Sequence, residues 1–287
     1  MSATPTPMAT AAPNAASAAS TSRFRQYYAL TKPRVTALVI ATTAVGLAVA
    51  PVRALGLMLA LSKKIGISDK AMRTIPNMDR RQYQGNDLKG KTVGIVGIGN
   101  IGSRVSDLCR GLFGMTVLVY DPYLTAAQVA ARGGTQVGLE ELMRRSDYVT
   151  VHCPRSKERF GMFGAEQYGW MKPTAYFINT ARGGIHKEAE LADALKAGKL
   201  AGAGLDVFLE EPTPLDNPLL ALDNVIVTPH NAGMTDESLL EMCKATAEQW
   251  IGIFNGEVPP RLVNPEAWPL YSQRFAEIIG TTPAPLS

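Results

Sequence analysis

Gly97-Ile98-Gly99-Asn100-Ile101-Gly102 has the spacing GxGxxG. Alone this is a weak pattern. Here it follows an apolar stretch, Val93–Val96, opens a helical pattern, and is followed by an acid, Asp121, roughly 20 residues on. In that setting each residue has a job in dinucleotide binding. Gly97 permits the tight turn, Gly99 leaves room for a pyrophosphate to approach the backbone, and Gly102 lets helix and strand pack closely. The amides of Asn100 and Ile101 then face the pyrophosphate at a helix N-terminus, where unpaired N–H groups and the helix dipole favour an anion. Asp121 is placed to accept hydrogen bonds from the adenosine ribose hydroxyls. Its charge repels a 2′-phosphate, so the expected cofactor is NAD rather than NADP.

Three later segments end strand patterns with polar residues. They are Asn179-Thr180-Ala181-Arg182-Gly183-Gly184, Leu205-Asp206-Val207-Phe208-Leu209-Glu210-Glu211-Pro212 and Thr228-Pro229-His230-Asn231-Ala232-Gly233. In open α/β sheets, ligands gather at the carboxyl ends of the strands, so Arg182, Asp206, Glu211 and His230 are expected to line one crevice. Taken singly, a histidine after Thr-Pro could cap a loop and Glu210 and Glu211 could be solvated charges. Their convergence at three successive strand ends argues for a site. The other histidines, His152 and His186, are assigned no chemistry. Gly85–Thr92 matches GxxxxGKT literally, but it leads into a strand rather than joining a strand to a helix, so it is not read as a phosphate loop.

The elements that must position these residues follow from short apolar runs separated by amphipathic stretches. Strands are predicted at Thr92–Val96, Thr116–Tyr120, Tyr148–Val151, Ala175–Asn179, Ala201–Asp206 and Val225–Thr228. Helices are predicted at Ala54–Lys64, Gly102–Phe113, Leu139–Arg144, Lys187–Ala197 and Asp236–Phe254, with a polar connection after Lys64. The alternation implies an α/β fold, a doubly wound parallel sheet covered by helices on both faces.

The fingerprint and the three strand-end segments together resemble the D-isomer-specific 2-hydroxyacid dehydrogenases, a family that includes phosphoglycerate, glycerate/hydroxypyruvate and D-lactate dehydrogenases. The resemblance runs from about Arg53 to near Phe275. It implies a catalytic trio of Arg182, Glu211 and His230. Arg182 matches the arginine that grips the substrate carboxylate and carbonyl, a task suited to a planar bidentate fork. His230 matches the acid/base that protonates the carbonyl oxygen as hydride arrives. Glu211 matches its carboxylate partner, whose charge favours the imidazolium. Asp206 matches a residue near the nicotinamide carboxamide, and Thr180 and Gly233 match further cofactor contacts. The implied partner is a small 2-oxoacid or 2-hydroxyacid, and a homodimer is possible.

The chain has 287 residues, 46% apolar and 19% charged, with a net charge of +4. Neither a Lys/Arg run nor aromatic-basic interleaving points to nucleic acid. The three cysteines, Cys109, Cys153 and Cys243, are too few and too widely spaced for a disulfide framework or a zinc site, and no metal is expected.

Five segments are expected. Residues 1–22, almost all Ala, Ser, Thr and Pro, read as a disordered leader. Residues 23–52 are hydrophobic, 53–88 an interdomain helix and linker, 89–258 the NAD-binding Rossmann domain, and 259–287 a tail. In the second segment Arg23, Arg25, Lys32 and Arg34 precede a charge-free run, Val35–Ala50. As a helix that run spans roughly 24 Å at about 1.5 Å per residue. A bilayer core is about 30 Å thick. A membrane helix, a signal peptide and a buried helix are all open readings, and Pro51 and Arg53 are expected to separate the run from Ala54–Leu61. Tyr27-Tyr28-Ala29-Leu30-Thr31-Lys32-Pro33-Arg34-Val35-Thr36 resembles the start of the first membrane helix of protoheme IX farnesyltransferases, over about Phe24 to Pro51. The cations before Val35 favour a cytoplasmic N-terminus, and a single span would then export the NAD domain. A cytoplasmic domain is therefore expected, with membrane association through residues 35–50 as the alternative.

The dehydrogenase family begins with a smaller flavodoxin-like domain. Here its place is taken by the leader and the hydrophobic run, so NAD binding with weak turnover is expected. Two other functions stay open: a non-catalytic NAD-binding module and a prenyltransferase fragment.

Overall fold

A computed structural model describes residues 46–260, 262 and 264–286. The leader, the cations before Val35 and residues 35–45 of the apolar run lie outside the described residues. The chain divides into two compact units, one of Ala44–Leu239 and one that holds Leu240–Ser287.

The first unit is built on a seven-stranded sheet of order β3-β2-β1-β4-β5-β6-β7. Its strands are β1 (Thr92–Val96), β2 (Thr116–Tyr120), β3 (Thr135–Gln136), β4 (Tyr148–Val151), β5 (Tyr176–Asn179), β6 (Gly202–Leu205) and β7 (Val225–Val227). Every pairing is parallel. The helices are α1 (Gly46–Ser62), α2 (Ile65–Thr74), α3 (Asn100–Phe113), α4 (Ala126–Ala130), α5 (Leu139–Arg145), α6 (Ala165–Trp170), α7 (Glu188–Lys196), α8 (Asp236–Phe254) and α9 (Trp268–Ile279). This is the doubly wound α/β architecture that the alternating pattern implies. The strand order reverses direction between β1 and β4, which opens a crevice at their carboxyl ends.

Successive strand residues point to opposite faces. Val93, Ile95, Val117 and Val119 pack with Val105 and Cys109 of α3 and with Leu57, Met58 and Leu61 of α1. Val96, Leu118, Val149 and Val151 pack on the other face with Leu142 and Met143 of α5 and Leu191 of α7. Burial on both faces explains why these strands read as continuous apolar runs rather than as an alternation. Glycine brings α1 close to the sheet: a Cβ on Gly204 of β6 would lie 3.0 Å from the Cβ of Leu57.

Helix α1 departs from the sequence expectation. Pro51 lies inside it rather than ending it. A proline in a helix interior removes one hydrogen bond and costs about 3 kcal/mol. Burying Leu57, Met58 and Leu61 against the sheet contributes about 1.5–3 kcal/mol each, which outweighs that loss. Among the described residues no helix is long and apolar enough to cross a membrane.

Short elements were also missed. Helix α2 replaces the start of the expected polar connection, and β3, α4, α6 and α9 are additional. Helix α4 carries a readable signal, Thr125-x-x-Gln128: the Thr125 amide donates to Gln128 Oε1 at 2.9 Å and the Gln128 amide to Thr125 Oγ1 at 3.3 Å.

In the second unit Ile253, Trp268, Tyr271 and Phe275 form a small core of their own. Tyr271 donates its hydroxyl to the Ile253 carbonyl at 2.7 Å.

Candidate active site

The turn between β1 and α3 is shaped by its glycines. Gly97 has φ 90°, in the left-handed region that side chains disfavour. A Cβ on Gly102 would lie 2.2 Å from the Gly97 carbonyl oxygen, so only glycine lets the helix start this close to the strand. A Cβ on Gly99 would meet nothing within 4 Å, because the backbone there faces open space. Asn100 begins the helix, so its amide and that of Ile101 have no carbonyl one turn earlier to bond.

Asp121, just past β2, reaches back to this turn. Its Oδ2 accepts from the Ile98 amide at 3.1 Å and its Oδ1 from the Tyr123 amide at 3.1 Å. A cavity of about 300 Å³ opens here, lined by Gly97, Gly99, Asp121, Tyr123, His152 and Arg159 among others. Arg159 lies over the Tyr123 ring, 5.0 Å from its centroid.

At the end of β5, Thr180 is buried, and its Oγ1 has no hydrogen-bond partner among the described residues. Arg182 is exposed and donates Nη1 to the neighbouring Ala181 carbonyl at 2.7 Å. The loop that carries it rests on the next one: a Cβ on Gly183 would fall 1.6 Å from the Phe208 carbonyl oxygen.

Beyond β6 and β7 the chain forms a linked pair of loops. Asp206 is fully buried. Its Oδ1 accepts from the Thr228 hydroxyl and from the Asn231 amide, the latter at 3.2 Å, and its Oδ2 accepts from the Ala232 amide at 2.9 Å. These three donors bracket His230, whose φ of 52° is left-handed. The strained backbone points the ring at Glu211: His230 Nδ1 and Glu211 Oε2 are 2.6 Å apart. The other Glu211 oxygen accepts from the Phe208 amide at 2.9 Å. Partial burial pushes the Glu211 carboxyl up. The hydrogen bonds from His230 and Phe208, with the charges of His230 and Arg182, outweigh that and hold it below the usual carboxylate value. Glu211, Pro212, Thr228 and His230 line a cavity of about 530 Å³.

His230 and Glu211 are thus in contact, and Asp206 holds the histidine loop. Arg182 bonds to neither acid, although its charge reaches Glu211. Gly233 follows at the end of that loop and accepts from Ser238 Oγ at 2.6 Å. Burial pushes both His152 and His186 down to about 4, so neither holds a proton near neutral pH. Burial also raises the Cys153 thiol, against the opposing charge of Arg159. A further cavity of about 430 Å³ lies at the amino ends of β5 and β7 and contains none of the candidate residues. Among the described residues no group of three or more His, Cys, Asp or Glu could hold a metal ion.

Sequence reasoning missed the residues that hold the loops. Asn179 caps the Arg182 turn, and Glu188 of α7 accepts from the Leu209 amide and from Asn217 Nδ2, each at 2.6 Å. An Asn at a strand end just before a turn is a readable signal; the long-range bonds of Glu188 and Asp206 have no local one.

Residues 55–232 match the family model for the D-isomer specific 2-hydroxyacid dehydrogenase, NAD binding domain. The chain belongs to this dehydrogenase family. The match takes in the glycine turn, Asp121 and the Arg182, Glu211 and His230 loops, and stops one residue before Gly233. Residues 24–45, which carry most of the second resemblance, lie outside both this match and the described residues.

Among the dehydrogenase relatives, D-3-phosphoglycerate dehydrogenase of Archaeoglobus fulgidus is 41% identical over 203 residues, covering 71% of this chain and 38% of that protein. Glyoxylate reductase of Korarchaeum cryptofilum is 44% identical over 182 residues, covering 63% of this chain and 54% of that protein. The chain therefore spans between about two fifths and about half of the length of these relatives. The crystal structure of D-lactate dehydrogenase with NAD+ from Lactobacillus jensenii superposes with a TM-score of 0.69 at 29% identity, covering 76% of this chain and 68% of that one.

Proposed function

We propose that this chain reduces a small 2-oxoacid with NADH and, in reverse, oxidises a D-2-hydroxyacid with NAD. The observation that carries the reading is the 2.6 Å contact between His230 and Glu211, at the same strand ends that bear Arg182 and the glycine turn. The pyrophosphate lies against Gly97, Gly99, Gly102 and the amides of Asn100 and Ile101. Two features fit a bound dinucleotide: the open space over Gly99 and the unpartnered, buried Oγ1 of Thr180. Asp121 takes the adenosine ribose. Asp206 lies near the nicotinamide, with Gly233 a further contact.

When bound, NADH supplies the hydride. The chain's own residues do the rest. The Arg182 guanidinium forks onto the substrate carboxylate and carbonyl oxygen. His230 keeps Nδ1 on Glu211, which leaves Nε2 as the nitrogen that gives its proton to the carbonyl oxygen as the hydride reaches the carbon. In the oxidation direction Nε2 takes that proton back. The Glu211 carboxylate fixes the ring and stabilises its charged form.

Two results are expected. The chain binds NADH more tightly than NADPH in a fluorescence titration, and Asp121→Ala narrows the difference; equal affinity of the unsubstituted chain for both would remove Asp121 from this role. Glu211→Gln keeps a hydrogen-bonding partner for His230 Nδ1 but removes the anion. Reduction of a 2-oxoacid should slow about tenfold, the loss expected when a charge-assisted hydrogen bond becomes a neutral one, with NADH affinity unchanged. An unchanged kcat would exclude Glu211 from the proton-transfer machinery.

A further inference from the structure

Asn179 is fully buried at the last position of β5. All of its amide capacity except one lone pair is used. Its Oδ1 accepts from the Ala181 amide at 2.9 Å. Its Nδ2 donates to the Arg182 carbonyl at 3.1 Å and lies 2.9 Å from His186 Nδ1. A backbone N–H can only donate and a carbonyl can only accept, so these two contacts fix which way the amide faces. The hydrogen that points at His186 then requires Nδ1 to be an acceptor. The imidazole is therefore neutral, with its proton on Nε2.

His186 is held by packing and by its backbone, and its buried Nε2 has no hydrogen-bond partner among the described residues. It is 2% exposed, and its ring lies 6.0 Å from that of Phe177. The backbone on either side is tied to Phe163: Phe163 N–H donates to the Ile185 carbonyl at 3.1 Å and Lys187 N–H to the Phe163 carbonyl at 2.9 Å. The imidazole thus stands on a fixed segment and holds the amide that shapes the 180–182 turn.

We propose that the Asn179–His186 pair is a positioning clamp for Arg182, fixing the turn that presents the guanidinium to the substrate carboxylate. This rests on the reading of Arg182 as the carboxylate-binding residue. An apolar side chain at position 186 would leave one Asn179 N–H buried without a partner, an arrangement that favours rotation of the amide and loosening of the turn. Burial, which pushes His186 down to about 4, keeps the ring neutral and the clamp intact across the neutral pH range.

The test uses the full chain with NADH and oxamate, a carboxylate-bearing isostere of a 2-oxoacid, together with glyoxylate turnover. His186→Leu should weaken oxamate binding to the NADH-saturated chain about tenfold and raise KM for glyoxylate by a similar factor, the loss expected for one buried hydrogen bond. Affinity for NADH should change much less, because the turn carries only one of its proposed contacts, Thr180. His186→Asn, whose Oδ1 can stand in for Nδ1, should restore most of the loss. Nitrogen-15 NMR of the unsubstituted chain should show the Nε2–H tautomer at His186. An Nδ1–H tautomer would overturn the clamp, as would unchanged oxamate affinity in His186→Leu or parallel losses of NADH and oxamate binding. Arg182→Ala separates the two layers of the argument. If it leaves oxamate affinity intact, the carboxylate role of Arg182 falls and the clamp with it. If it weakens oxamate while His186→Leu does not, only the clamp falls.

Discussion

His230→Ala should lower 2-oxoacid reduction by about 10²–10⁴-fold, the range for loss of a positioned general acid. The substitution removes the group proposed to protonate the carbonyl oxygen but leaves the backbone that orders the loop. Asp206 holds that loop through the Thr228 hydroxyl and the Asn231 and Ala232 amides, none of which belongs to the imidazole. Affinity for NADH should therefore change little. Neither of the other histidines can substitute, because burial pushes both His152 and His186 down to about 4. Stopped-flow turnover alongside an NADH titration separates the two effects. Retained turnover would mean that another group protonates the substrate; a parallel loss of NADH affinity would mean that His230 is structural.

Gly183→Ala should disable the site by a different route. The added methyl would sit 1.6 Å from the Phe208 carbonyl oxygen and 2.2 Å from its carbon, both backbone atoms that cannot swing aside. Relieving the overlap needs a movement of more than about 1 Å, and a misplacement of that size can cost about 10²-fold in rate. The movement would part the Arg182 loop from the Phe208–Glu211 loop, and so the proposed carboxylate grip from the proposed acid/base pair. Overpacking of this kind also costs about 1–3 kcal/mol of stability. A lower thermal midpoint together with a roughly 10²-fold lower kcat/KM is the expected result. Gly99→Ala is the control for stability, since its methyl would meet nothing within 4 Å in the free chain. Its expected defect is confined to NADH binding.

The fold and the placement of the candidate residues were legible for related reasons. The strands are buried on both faces, so they stand out as short apolar runs, and the candidate residues sit at their carboxyl ends. The GxGxxG turn and Asp121 carry local, spacing-encoded signals. The support around them does not. Asp206 reads as one more polar residue at a strand end; only the fold brings Thr228, Asn231 and Ala232 to its two oxygens. His186, next to a helix start, gives no hint that it faces Asn179. Helix α1 misled in the opposite way. Pro51 is a strong local stop signal, and the burial of Leu57, Met58 and Leu61 that overrides it is a tertiary effect. Short elements such as β3 and α4 fell below the length at which periodicity speaks, although the Thr125–Gln128 capping box marks one of them.

Arg182 and His230 are proposed to present a 2-oxoacid to NADH with a fixed handedness. The most direct measurement is the configuration of the alcohol formed from hydroxypyruvate, with the chain in excess over substrate and NADH saturating, so that slow turnover does not hide the product. Chiral separation should show D-glycerate alone, in an amount equal to the NADH consumed. L-glycerate, a racemic product, or no hydride transfer from demonstrably bound NADH would rule out these roles for Arg182 and His230.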